Sequence, residues 1–148
     1  MDYIDACVFL AVVFGEHDER CTSFLNRTGY RRHPAGVISH HVVSELFISI
    51  LTKRHGRLRD EIALVAVKLL SRLVDERNFV IAKISRDERL FDSVKEQDYR
   101  VSDDDAFHLV AAITAGCDRF VTIDGALLSA ERLQGWLKRE FGLKLVAP

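Results

Sequence analysis

Short apolar runs alternate with longer stretches of helical periodicity along the whole chain. "DYIDA" reads as a first strand, followed by two helices, "CVFLAVVF" and "HDERCTSFLNRTG", the second ending at Gly29. "AGVIS" is a second strand and leads into a helix from about His41 to Arg54, broken by Gly56. Ile62, Val65, Ala66, Leu69, Leu70 and Leu73 recur at the spacing of one amphipathic helical face. "NFVIAKI" is a third strand, Arg86–Glu96 and Ser102–Ala115 are helices, and "DRFVTID" is a fourth strand. A helix over Ala126–Glu140 and a last strand, "LKLVA", complete the pattern. Strands separated by helices of this length predict a parallel sheet covered on both faces. In such sheets ligands bind beyond the carboxyl ends of the strands, so the residues that follow each strand are the ones to inspect.

Carboxylates stand at those places. Asp5 ends the first strand, Glu45 lies in the first turns of the helix after the second, and Asp124 closes "RFVTID". Asp105 lies at the start of a helix, in "RVSDDDAFHLVAAITAG". Each has an ordinary explanation when taken alone. Asp5 suits a helix N-cap. Ser102 and Asp105 have the spacing of a capping box, with Asp103 and Asp104 favoured by the helix dipole. Asp124-Gly125 is a common turn pair. Glu45 is less ordinary, because Ser44 and Ser49 are the only other non-apolar residues between Val42 and Leu51. A helix so apolar is expected to be buried all round, and a carboxylate there needs a cation, a hydrogen-bond partner or a route to solvent.

A parallel sheet would gather all four acids at one edge, where they repel one another. A hard divalent ion such as Mg²⁺ or Mn²⁺ relieves that repulsion and acts on phosphodiesters. Cys7, Cys21 and Cys117 are odd in number and widely spaced, which argues against a disulfide framework and, without a Cys/His ligand set, against zinc. Cys7 and Cys117 sit in apolar runs and read as small core residues. The chain has 148 residues, 48% of them apolar and 29% charged, and a net charge of −1. That predicts one folded domain over residues 1–148 and leaves nucleic-acid binding to local patches. The opening segment has acids where a leader would be basic, and its Ala6–Phe14 apolar run is too short to span a bilayer, so a cytoplasmic protein is expected.

The stretches "YIDACVFL", "ISHHVVSELF" and "DAFHLVAAITAGCDRFVTID" resemble the PIN-domain ribonucleases, in particular the small VapC-type toxins of toxin–antitoxin pairs. The resemblance covers nearly the whole chain. It implies a three-layer α/β/α sandwich around a parallel sheet of about five strands. It also implies an Mg²⁺- or Mn²⁺-dependent endoribonuclease with Asp5, Glu45, Asp105 and Asp124 as metal-binding and catalytic acids. Asp105 is chosen over Asp103 and Asp104 because the family's acid precedes an Ala. A small antitoxin partner and a homodimer are implied too. Two departures are visible: Ala6-Cys7 follows the first acid where Ser or Thr is frequent, and no further acid follows Asp124 closely. The basic clusters Arg27–His33 and Lys53–Arg59 supply candidate RNA contacts, namely Arg27, Arg31, Arg32, Lys53, Arg54 and Arg57. His108 lies one turn after Asp105 and reads as a satisfied structural histidine rather than a base. The alternatives are a PIN-like module that binds RNA or protein without cutting, and a phosphoryl-transfer domain. The second fits poorly, because Asp5 lacks an acid two residues on.

Overall fold

A computed structural model describes residues 1–15, 19–28, 36–52, 64, 68, 79–83 and 87–148. Five parallel strands form one sheet: β1 (Asp2–Ile4), β2 (Gly36–Ser39), β3 (Phe79–Ala82), β4 (Arg119–Val121) and β5 (Lys144–Val146), in the order β3-β2-β1-β4-β5. Seven helices accompany them among the described residues. They are α1 (Ala6–Phe14), α2 (Glu19–Thr28), α3 (His40–Thr52), α4 (Glu88–Lys95), α5 (Asp103–Thr114), α6 (Gly125–Leu128) and α7 (Glu131–Phe141). The sheet is flanked by helices in a three-layer α/β/α arrangement, as the alternating pattern predicts. The predicted amphipathic helix over Ile62–Leu73 lies outside the described residues, apart from Leu64 and Lys68. No helix of the described residues is long and apolar enough to cross a membrane.

The central strands are short and almost wholly apolar because both their faces are covered. Tyr3, Ile4, Val37, Ile38, Phe120 and Val121 are buried, while the edge strand β3 exposes Val80 and Ile81. Tyr3 pairs in register with Phe120 across β1 and β4, and the two rings stack at 5.2 Å. Phe9, Leu109, Leu133 and Leu137 pack around this centre, each burial removing apolar surface worth roughly 1.5–3 kcal/mol. At the amino end of the sheet, Arg119 grips Asp2 through Nε and Nη2, and the terminal ammonium of Met1 meets Asp118.

Two expectations change. Helix α3 is not buried all round: Val42 and Leu46 face inward, but Phe47 and Ile48 are 49% and 61% exposed. Among the described residues, α1, α5 and β2 pack against it. The single helix expected over Ala126–Glu140 is broken at Ser129-Ala130, where Ala130 takes φ −82°, ψ 75°. The break is held locally. Ser129 Oγ donates to the Ala126 carbonyl at 3.2 Å, and Gln134 Nε2 to the Leu128 carbonyl at 2.7 Å. It lets Leu127, Ala130 and Leu133 all reach the core. Gly142, at φ 70°, then closes α7 and turns the chain into β5.

Gly36 marks the tightest approach between β1 and β2. A Cβ there would stand 2.8 Å from Ile4 Cδ1 and 3.1 Å from the Asp2 carbonyl oxygen. The Ile4 methyl can move, but the backbone oxygen cannot without shifting the strand pairing. Gly36→Ala is therefore expected to destabilise the fold by about 1–3 kcal/mol. Urea denaturation at an unchanged m-value is the measurement; unaltered stability would show that β1 and β2 are less closely apposed.

Candidate active site

The three central strands end side by side, and their last residues build one cluster. Asp5 directly follows β1 and stands at the N-cap of α1, with extended backbone (φ −71°, ψ 150°) but no side-chain capping bond. Its side chain turns into the protein instead and is 5% exposed. Thr122 Oγ1, just after β4, donates to Asp5 Oδ2 at 2.6 Å, and Cys7 Sγ donates to the same oxygen at 3.0 Å. The Thr122 hydroxyl in turn accepts from the Asp124 amide at 3.0 Å. An amide, a hydroxyl and a carboxylate thus form one directed chain, the arrangement in which hydrogen bonds reinforce one another.

The second acid reaches Asp5 through a histidine. His108 on α5 is 2% exposed. Its Nε2 lies 3.0 Å from Glu45 Oε2 and 3.9 Å from Asp5 Oδ1. Its Nδ1 lies 2.8 Å from Tyr3 Oη, which donates to Ser39 Oγ at 2.8 Å. Both ring nitrogens have partners, so His108 is the satisfied histidine that its sequence position suggested, and it lines the cluster as well. Glu45 is neither buried unpaired nor free in solvent; its side chain is 37% exposed and leans on His108.

Burial pushes the Asp5 carboxyl above its ordinary value of 3.8. The His108 charge and the bonds from Cys7 and Thr122 oppose that rise, and Glu45 adds to it. Burial also pushes the Cys7 thiol up, with Asp5 next in effect, so the sulfur keeps its proton and serves Asp5 as a donor. Cys7 is accordingly half-buried and bonded rather than a plain core residue, whereas Cys117 and Cys21 are buried, and none of the three forms a disulfide. The missing Ser or Thr after Asp5 is offset in this way: Cys7 and Thr122 supply the donors.

The other two acids serve helix starts. Asp105 completes a capping box with Ser102: its Oδ2 accepts from the Ser102 amide at 2.9 Å and the Ser102 hydroxyl at 2.6 Å, while its own amide donates to Ser102 Oγ. It is half-buried and one turn before His108, the spacing that puts two residues on one helix face. Asp124 caps α6, with Oδ1 accepting from Ala126 and Leu127 at 2.6 and 3.3 Å, and it joins the cluster through Thr122. Asp103 points elsewhere, paired with Lys95 at 2.8 Å. Asp104 pairs with His41 at 2.9 Å. Of the basic candidates, only Arg27 is described; it is exposed near the end of α2, its Nε donating to the Ser23 carbonyl. Arg31, Arg32, Lys53, Arg54 and Arg57 lie outside the described residues.

Reasoning from sequence passed over Thr122, Tyr3 and Ser39. "V-T-x-D" and "YIDAC" carried the signal for the first two, since each places a hydrogen-bonding group beside an acid at a strand end. The donor set fits a hard cation. Asp5 Oδ2 accepts two bonds, whereas among the described residues Oδ1 of this desolvated carboxylate has only His108 Nε2 near it, at 3.9 Å and beyond hydrogen-bonding distance. Such an oxygen, with Glu45 reached through the same His108 nitrogen, could hold a divalent ion.

A raised carboxyl value has a definite sign. Folding stability from Asp5 is fully present below 3.8 and declines as pH rises through the raised native value, because the folded state binds the proton more tightly. In chelator, Asp5→Asn is expected to melt a few degrees higher than the wild type at neutral pH, with the gain vanishing in acid. Calorimetric melts from acid to neutral pH check this, and a variant that melts lower at neutral pH would mean that the charge is already compensated.

The PIN domain family model matches residues 3–133. The structure of VapBC2 from Rickettsia felis bound to a DNA fragment from their promoter is similar at a TM-score of 0.65 and 16% identity, covering 99% of this chain and 98% of that one. The structure of FitAB bound to an IR36 DNA fragment is similar at 0.66 and 13% identity, covering 100% and 95%. No curated protein matches the chain in sequence. At these identities the two structures speak for the fold, and the family match, which spans most of the chain, makes this protein a member of the PIN domain family.

Proposed function

We propose that the protein is an endoribonuclease that uses Mg²⁺ or Mn²⁺ to hydrolyse RNA phosphodiester bonds, and that it is the toxin of a toxin–antitoxin pair. Asp5 carries the reading. It is a carboxylate at a helix start that declines to cap the helix and is held instead, desolvated, by Thr122 and Cys7. Folding alone gains nothing from that placement. Family membership and the likeness to VapBC2 and FitAB support the toxin role.

Asp5 and Glu45, with Asp105 and Asp124 beside them, would hold the ion, which when bound activates water and stabilises charge on the phosphodiester. The chain's own residues do the positioning. Thr122 and Cys7 fix Asp5 Oδ2 and so aim Oδ1. Tyr3 and Ser39 orient His108, and His108 steadies Glu45. Arg27, with Arg31, Arg32, Lys53, Arg54 and Arg57, would contact RNA phosphates. A small antitoxin and a second copy of the chain are the proposed protein partners.

The capping bonds of Asp105 and Asp124 favour a second reading, a PIN module that binds without cutting, in which these two acids only start helices. Asparagine separates the readings, since it caps a helix about as well as aspartate. Asp105→Asn and Asp124→Asn should keep stability within roughly 0.5 kcal/mol and lose cleavage by about a hundredfold or more, as should Asp5→Asn. Asp103→Asn should retain most activity. Cleavage of a labelled RNA, with melting curves in parallel, is the measurement. Full activity in the Asp105 and Asp124 variants would assign those acids to capping alone, and cleavage persisting in chelator would remove the metal from the mechanism.

A further inference from the structure

The sequence argued against zinc because no ligands lie at zinc-like spacing. Folding creates a set that spacing hides. His41 and Glu45 stand four residues apart on α3, and His108 comes from α5, 63 residues from Glu45. Each offers one ligand atom, and the three atoms lie within 4.8 Å of one another. The rings of His41 and His108 are 4.9 Å apart.

We propose that His41, Glu45 and His108 form a second cation site, selective for a borderline-soft divalent ion such as Zn²⁺, which shares Glu45 with the acid pair. Five features support it. Imidazole nitrogen suits zinc, cobalt and nickel far better than magnesium, so this set and the Asp5 side of the cluster differ in preference. A tetrahedral ion with nitrogen and oxygen ligands at 2.0–2.1 Å spaces those atoms roughly 3.3 Å apart, so closure from the present separations needs side-chain adjustment of about 1–2 Å at most. His108 is already oriented as a metal-bound histidine is, with Nδ1 fixed by the Tyr3 hydroxyl and Nε2 turned to Glu45. His41 has a carboxylate of its own, Asp104, at 2.9 Å. The His41 and Glu45 side chains are 35% and 37% exposed, which leaves a way in and room for water as a fourth ligand. Occupancy would take Glu45 from the harder ion and so inhibit cleavage. That consequence rests on the proposed function, whereas the site itself does not.

The test is a calorimetric titration of Zn²⁺ into chelator-stripped, full-length protein, repeated with Co²⁺ while recording its visible absorption. One ion per chain is expected. His41→Ala, and His41→Gln as a variant able to keep the bond to Asp104, should weaken Zn²⁺ by about tenfold or more and dim the Co²⁺ bands. Asp5→Asn should leave Zn²⁺ affinity within about twofold while abolishing Mg²⁺ binding. Circular dichroism melts confirm that the variants fold. No Zn²⁺ binding, or binding indifferent to His41, would overturn the proposal, as would Zn²⁺ affinity lost in Asp5→Asn, because the ion would then occupy the acid site. If the Zn²⁺ pattern holds while RNA is never cut, the site stands and the nuclease reading alone fails.

Discussion

The hydrogen bond from Thr122 Oγ1 to Asp5 Oδ2 is the contact on which the candidate site depends. It joins the ends of β1 and β4, adjacent strands at the middle of the sheet, 117 residues apart in the chain. Here the strand order runs outward from β1 in both directions, the place where parallel α/β sheets open a crevice. The Asp5 amide is bound to the Val121 carbonyl by the same pairing, so the backbone sets the reach and the hydroxyl sets the direction. The arrangement has an energetic penalty. Asp5 forgoes a helix cap, usually worth about 1 kcal/mol, and accepts desolvation that pushes its carboxyl up. A local rule broken at a strand end, against the interest of stability, is the physical ground for the functional role proposed for Asp5.

Tyr3 ties that position to the core. Its ring stacks on Phe120 in the centre of the sheet, and its hydroxyl bridges Ser39 at the end of β2 and His108 on α5. The same residue therefore contributes apolar burial and fixes the orientation of the group that contacts Glu45. Ser39 adds to this by accepting from the Val42 amide, which ties the start of α3 to the network. Glu45 is thus placed through residues of β1, β2 and α5 that are distant in the chain.

Periodicity made the layers legible, because strands covered on both faces are written as unbroken apolar runs and the helices as longer patterns. Helix breaks without glycine or proline were not legible: Ser129-Ala130 is set by hydrogen bonds to Ala126 and from Gln134, which sequence pattern does not encode. The capping box of Ser102 and Asp105 could be read because it is local in sequence. The link from Glu45 to Asp5 could not, because it runs through His108, and a histidine in an apolar helix carries no mark of what it faces. Cys7 misled for a related reason. Its apolar neighbours suggested core, but position two after Asp5 on the first turn of α1 brings its sulfur back to the carboxylate.

The capping bonds of Asp105 and Asp124 do not conflict with the site role proposed for them. A carboxylate has two oxygens with separate lone pairs. In Asp105 the box engages Oδ2, and in Asp124 the cap engages Oδ1, so in each case backbone amides or a neighbouring hydroxyl immobilise one oxygen and thereby orient the other. Asp5 also stands at a helix start, but it makes no capping bond and is held by Thr122 and Cys7, with His108 at 3.9 Å. Asp105 and Asp124 are thus fixed by bonds at helix starts, and Asp5 by side chains in a buried position, with His108 between it and Glu45. Under the proposed function, the buried acid is the one on which metal affinity should turn, because burial penalises its charge most.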